Sequence, residues 1–102
     1  TFRAFPAFKY TVEHSVYVRK DQRGRGLGEL LLREVVRRAR EAQVHVLVGC
    51  IDATNAGSIA LHMKLGFRHS GTIAEAGFKF GRWLDAAFYQ LKLDTPVQPV
   101  DG

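Results

Sequence analysis

Two hydrophobic periods alternate along this chain. In Thr11–Arg19 the period is two, with Val12, His14, Val16 and Val18 on one side and Glu13, Ser15 and Tyr17 on the other, which predicts a strand. From Leu27 the period lengthens: Leu27, Leu30, Leu31, Val35, Ala39 and Ala42 recur at three- and four-residue steps, as in an amphipathic helix. Val44–Ile51 is a continuous apolar run, the pattern of a strand buried on both faces. Asp52–Asn55 reads as a turn, with Asn55 the N-cap of a short helix over Ala56–Leu65 and Gly66 its C-terminal stop. Phe67–Lys79 and Trp83–Leu93 read as strands joined by a turn at Phe80–Arg82. Thr1–Tyr10 is an aromatic, irregular lead-in, and Asp94–Gly102, with two prolines, an exposed or loosely docked tail. The order strand, helix, strand, helix, strand, strand defines an α/β domain. Its front predicts right-handed parallel crossovers and its end an antiparallel hairpin.

Composition narrows the partners. With 102 residues, 46% hydrophobic and 25% charged, the chain suits one domain over 1–102, without repeat or linker. No apolar run approaches the roughly 20 residues of a membrane helix, and the opening residues carry no signal-peptide pattern, so no membrane partner is expected. The single cysteine, Cys50, excludes an internal disulfide and fits a reducing cytoplasm; its apolar setting predicts a buried, inert thiol. The net charge of +5 points to nucleic acid or to a small anionic ligand. Most of the arginines in Arg33–Arg40 are interleaved with glutamates, and pairs such as Glu29/Arg33 and Glu34/Arg38 predict a solvated helix face. With no basic stripe carrying interleaved aromatics, a nucleic-acid partner is not expected. His14, His45 and His69 show no ligand spacing with one another or with Cys50, so no metal is expected either.

Arg23 and Arg25 stand apart because glycines surround them. Gln22-Arg23-Gly24-Arg25-Gly26-Leu27-Gly28 joins a strand to a helix start. Glycines let a backbone approach a ligand closely, and the free N–H groups and dipole of a first helical turn suit phosphate oxygens. The loop therefore reads as a pyrophosphate site or, more plainly, as a tight turn. A Walker A loop fails because Glu29 and Leu30 follow Gly28. A dinucleotide fingerprint fails because Glu29 or Leu31 stands where its last glycine belongs.

Arg23 to Gly28 resembles the pyrophosphate loop of the GCN5-related N-acetyltransferases (GNAT superfamily), and Asn55 to Phe67 resembles that superfamily's second signature. Thr11 to Val18 and Gly81-Arg82-Trp83-Leu84-Asp85 are similar to the phosphinothricin and methionine sulfoximine acetyltransferase branch. The resemblance implies a GNAT-like mixed sheet and acetyl transfer from acetyl-CoA, as cosubstrate, to the primary amine of a small amino acid or analogue. It implies that Val16, Tyr17 and Val18 line the thioester, with the Val18 N–H polarising its carbonyl. It further implies that Arg23, Gly24, Arg25, Gly26, Leu27 and Gly28 hold the pyrophosphate, and that Asn55 and Ser58 touch the pantetheine arm. Glu13 occupies the position of the family's base; a surface carboxylate is the plainer reading. His62 stands where many members carry a tyrosine acid, and a structural histidine remains the alternative. Trp83 and Asp85 read as structural, or as a wall of the acceptor pocket.

Members of the superfamily carry a strand, two helices and two more strands before the equivalent of Tyr10, and these are absent from the 102 residues. The alternative function is therefore a truncated acetyl-CoA-binding fragment with little turnover of its own. An exposed sheet edge and apolar surface would favour a homodimer or association with a missing N-terminal segment, with Phe2, Phe5 and Phe8 as candidate contacts.

Overall fold

A computed structural model describes residues 8–14 and 26–101. Four strands and two helices follow in the predicted order: β1 Thr11–His14, α1 Leu27–Glu41, β2 Val46–Asp52, α2 Ala56–Lys64, β3 Arg68–Lys79 and β4 Arg82–Lys92. They form one sheet in the order β1-β2-β4-β3. β1 runs parallel to β2, and β4 pairs antiparallel with both β2 and β3. The hairpin thus closes with its second strand inserted beside β2, and β3 takes the outer edge. Ser15–Arg19, the rest of the first predicted strand, lies outside the described residues.

Strand alternation divides the sheet into two faces. Val12 and His14 sit opposite Leu47 and Gly49, which in turn sit opposite Leu91 and Tyr89. This face carries the core: Leu47, Ile51, Ala87, Tyr89 and Leu93 pack with Leu32, Val36 and Ala39 of α1 and with Phe67. On the other face Glu13, Val48 and Gln90 are in register, as are Cys50 and Phe88. The prediction of a strand buried throughout Val44–Ile51 is corrected: β2 runs from Val46 to Asp52, and His45 and Cys50 are exposed. A pattern of apolar residues reports transfer preference, and it cannot report how completely each position is covered.

Helix ends explain the element boundaries. Beyond α1, Val44 N–H donates to Ala39 O and Gln43 N–H to Arg40 O, a Schellman motif with Gln43 in the left-handed region at φ 61°. Val44 and Ala39 are both in the core, the apolar contact this motif favours. The predicted Glu29/Arg33 and Glu34/Arg38 pairs form on the outer face of α1, and Arg37 adds bonds to Glu34 and Glu41. In α2 the Asn55 side chain accepts the Ser58 N–H at 3.1 Å, as expected of an N-cap. α2 ends in a second Schellman motif, Phe67 N–H to His62 O and Gly66 N–H to Met63 O, with Gly66 at φ 97°.

The hairpin turn is two residues, Phe80 and Gly81, both at positive φ. Tight hairpins need that handedness to match strand twist. β3 breaks register between Ile73 and Gly77, where Glu75 takes φ 54° and its N–H donates to Asp85 Oδ1 at 2.9 Å. The Asp85 carboxylate therefore supports a bulge. The tail is docked: Thr95 Oγ1 donates to Val44 O, His45 Nδ1 donates to Thr95 O at 2.9 Å, and Val100 N–H donates to the Tyr10 hydroxyl at 3.0 Å.

Candidate active site

The last β1–β2 register pair is His14 with Gly49. Beyond it, Cys50, Ile51 and Asp52 stay paired to β4 but have no β1 partner among the described residues. A cleft opens there, lined by His14, Gly49, Cys50, Ile51, Asp52, Asn55, Ser58 and His62. The strand contributes an edge of backbone, and α2 contributes its N-terminal mouth and one inward face.

His62 is the one buried polar side chain among the described residues, 3% exposed. Helical spacing puts it one turn beyond Ser58, whose carbonyl accepts a hydrogen bond from His62 Nδ1 at 2.8 Å. The helix stop places Phe67 against it, edge-on, at 4.9 Å between ring centroids. On another side lies His14, its ring nearly parallel to that of His62 at 5.3 Å and 15°. Both imidazoles rest on Gly49: a Cβ there would sit 3.0 Å from His14 Nε2 and 3.0 Å from His62 Nε2. Both nitrogens of His14, and Nε2 of His62, have no hydrogen-bond partner among the described residues.

Burial sets the charge of this pair. It pushes the His14 imidazole down to about 4, and the neighbouring His62 adds to the shift. His62 is also lowered by burial, opposed by its bond to the Ser58 carbonyl. Burial thus favours the neutral form of both rings, and charging both at this separation is disfavoured.

Glu13 is exposed on the opposite face, in register with Val48. The structure thus brings His62 together with His14 rather than with Glu13. Cys50 accompanies Glu13: partial burial and then the Glu13 charge push its thiol up, away from the reactive thiolate. Asp52 anchors the turn into α2, accepting from Thr54 N–H at 2.9 Å and Thr54 Oγ at 2.8 Å, with Arg82 at 3.6 Å.

Of the pyrophosphate loop, Gly26, Leu27 and Gly28 are described. Gly26 precedes α1 at φ 74°, a conformation that favours glycine, and nothing lies within 4 Å of where its Cβ would be. The first turn of α1 is tied to α2 through Glu29 and Lys64 at 2.7 Å. Val16, Tyr17, Val18, Arg23, Gly24 and Arg25, with Ser15, Phe2 and Phe5, lie outside the described residues.

His14 and Gly49 are site residues that the sequence reading did not single out. Each carried a signal: His14 is the polar member of an otherwise apolar strand face, and a glycine within a strand marks close approach by another group.

A parallel strand-helix-strand front, closed by a hairpin inserted beside its middle strand, defines a mixed α/β domain with a cleft between that strand and α2. The chain belongs to the acetyltransferase (GNAT) family, whose model matches residues 1–67. It is 56% identical over 93 residues to the L-methionine sulfoximine/L-methionine sulfone acetyltransferase of Pseudomonas aeruginosa, covering 91% of this chain and 54% of that protein. An Acinetobacter baylyi ADP1 structure matches with TM-score 0.92 and 71% identity over 99% of this chain and 56% of its own. A Sinorhizobium meliloti phosphinothricin acetyltransferase in complex with acetyl-CoA matches with TM-score 0.86 and 39% identity, again over 99% and 56%. The chain spans about half the length of the curated relatives it matches.

Proposed function

We propose that this chain takes part in acetyl transfer from acetyl-CoA to the primary amine of a small amino acid or analogue, of the methionine sulfoximine or phosphinothricin type. The observation that carries the reading is the convergence, at one cleft, of the β2 backbone at Cys50–Asp52, which has no β1 partner among the described residues, the α2 mouth at Asn55 and the buried His62. That cleft fits a pantetheine arm, which is neutral and carries amides able to pair with strand-edge backbone groups. The glycine-led start of α1 fits phosphate oxygens, with Arg23 and Arg25 next to it in sequence.

Acetyl-CoA, when bound, supplies an acetyl group activated as a thioester. The protein's share is to orient it, polarise its carbonyl and manage protons. In this reading the Val18 N–H polarises the carbonyl, with Val16 and Tyr17 alongside. Glu13 removes a proton from the incoming ammonium, directly or through a water. Cys50, held as a thiol, is poorly suited to carry the acetyl group itself, which favours direct transfer.

No helix among the described residues is long and apolar enough to cross a membrane. The reaction is assigned to the cytoplasm, where Cys50 would stay reduced. Self-association through exposed apolar residues, Phe8 among them, accompanies this reading; sedimentation would show a monomer if it is wrong.

A second reading, acetyl-CoA binding with little turnover, is favoured by the placement of Glu13 on the sheet face opposite the His14–His62 pair. Calorimetry with acetyl-CoA, followed by a thiol-release assay with methionine sulfoximine and phosphinothricin, separates the two. Binding with amine-dependent thiol release is expected. Binding without release would leave the second reading, and no binding would remove both.

A further inference from the structure

His14 has no part in the reaction as proposed, yet it is built into the same cleft. Its ring covers one side of His62, its two nitrogens have no hydrogen-bond partner among the described residues, and its Nε2 shares the Gly49 backbone with His62 Nε2. Water hydrogen-bonds an open imidazole in either tautomer, so a ring shielded from water takes the form its remaining partner dictates. For His62 that partner is the Ser58 carbonyl, which can only accept. Nδ1 is therefore the donor, and in the neutral ring Nε2 carries the lone pair.

We infer that His14 is a positioning residue for His62: stacked on it above Gly49, it holds the imidazole in the single tautomer with Nδ1–H on Ser58 and Nε2 unprotonated. The inference rests on the reading of this cleft as the active site. Its chemical content is a direction for the proton. A neutral His62 so held has no hydrogen to give at Nε2; it accepts one there first, and only the imidazolium can donate. The general-acid role implied for His62 by family resemblance then requires a prior protonation, against the burial that keeps the ring neutral.

The packing explains why the stack is needed. Turning the ring over would break the bond to Ser58 and bring a different edge onto Gly49, where Nε2 and Cδ2 of His62 already lie 3.0 and 3.2 Å from the site of a Cβ. Phe67 meets the ring edge-on, at 76°, and so cannot serve as a parallel plate; His14, at 15°, can.

The test is the nitrogen-15 spectrum of the His62 ring in this chain at pH 7, in the unsubstituted protein and in two variants that leave an apolar side chain at position 14. His14→Phe retains a flat plate and should retain the single Nδ1–H pattern. His14→Leu removes the plate and should lose it, giving a mixture of tautomers. An Nε2–H pattern in the unsubstituted protein, a mixture in His14→Phe, or an unchanged pattern in His14→Leu would each overturn the inference. If His14→Leu does not fold, the unsubstituted protein and His14→Phe decide. The spectrum needs no cosubstrate, so a failure to bind acetyl-CoA would sink the proposed function and be seen separately.

Discussion

Phe67 is joined to His62 twice: its backbone N–H donates to the His62 carbonyl at 3.0 Å, and its ring stands against the imidazole at 4.9 Å. The bond is part of the motif that stops α2, and the ring contact is that motif's apolar clasp. A local rule for ending a helix thus also fixes a site residue. Gly66→Ala should expose the link, because φ 97° is strained for alanine and its Cβ would approach Leu91 at 3.4 Å. A loss of about 1–2 kcal/mol in urea unfolding is expected, with shifted His62 resonances.

Gln43 occupies the equivalent position after α1, at φ 61°, where glycine carries no steric penalty. Gln43→Gly should therefore stabilise the chain by about 0.5–1 kcal/mol, less the exposed bond from its side chain to Arg40 O. A lower urea midpoint in the variant would count against the motif.

Gly49→Ala would place a methyl 3.0 Å from both imidazoles. Backbone cannot move far within a strand paired on both sides, so the rings must give way. A destabilisation of about 1–3 kcal/mol is expected, together with loss of the His14–His62 ring contact by nuclear Overhauser measurement. An intact contact would show that the site is looser than described.

Stability should fall as acid is added, before the carboxylates titrate. A histidine whose folded value is depressed binds fewer protons in the folded than in the unfolded state, so its contribution is full above about 6.5 and is lost as pH falls toward the folded value. For His14 that window runs from about 6.5 down to about 4, and His62 shifts in the same direction. The charged or titratable groups of the same cleft are Asp52 and Cys50 on β2, and Asp52 is itself lowered by its hydrogen bonds to Thr54. Urea midpoints at pH 7 and pH 5 check the sign. His62→Phe should raise the His14 titration point by removing a neighbouring charge.

Glu13→Gln should leave acetyl-CoA binding unchanged and lower thiol release by about 100-fold or more if Glu13 is the base. Unchanged turnover would return Glu13 to the plainer reading of an exposed carboxylate.

Much of the fold was legible because each element carried its own local signal. The period change at Leu27, Asn55 as a cap, Gly66 as a stop and a turn within Phe80–Arg82, of which Arg82 proves to open β4, are all set by residues within a few positions. Gln43 shows the limit of such signals, since a left-handed residue that is not glycine leaves no mark in composition. The site was harder to read. His14 and His62 meet only because β1 lies beside β2 and α2 crosses the same face, and neither neighbour relation is written near either histidine. Cys50 was misjudged because both faces of β2 look alike in sequence.

Sheet order also bears on how the chain acquires its cleft. Val46 pairs with Lys92, close to half the chain away, while β3 and β4 meet through a two-residue turn. Closing the larger loop carries the larger entropic cost, so the hairpin is expected to form early and β2 to be captured late. The strand that supplies Gly49 would then join the sheet last, and the cleft among His14, Gly49 and His62 would take shape only once β4 is there to hold β2.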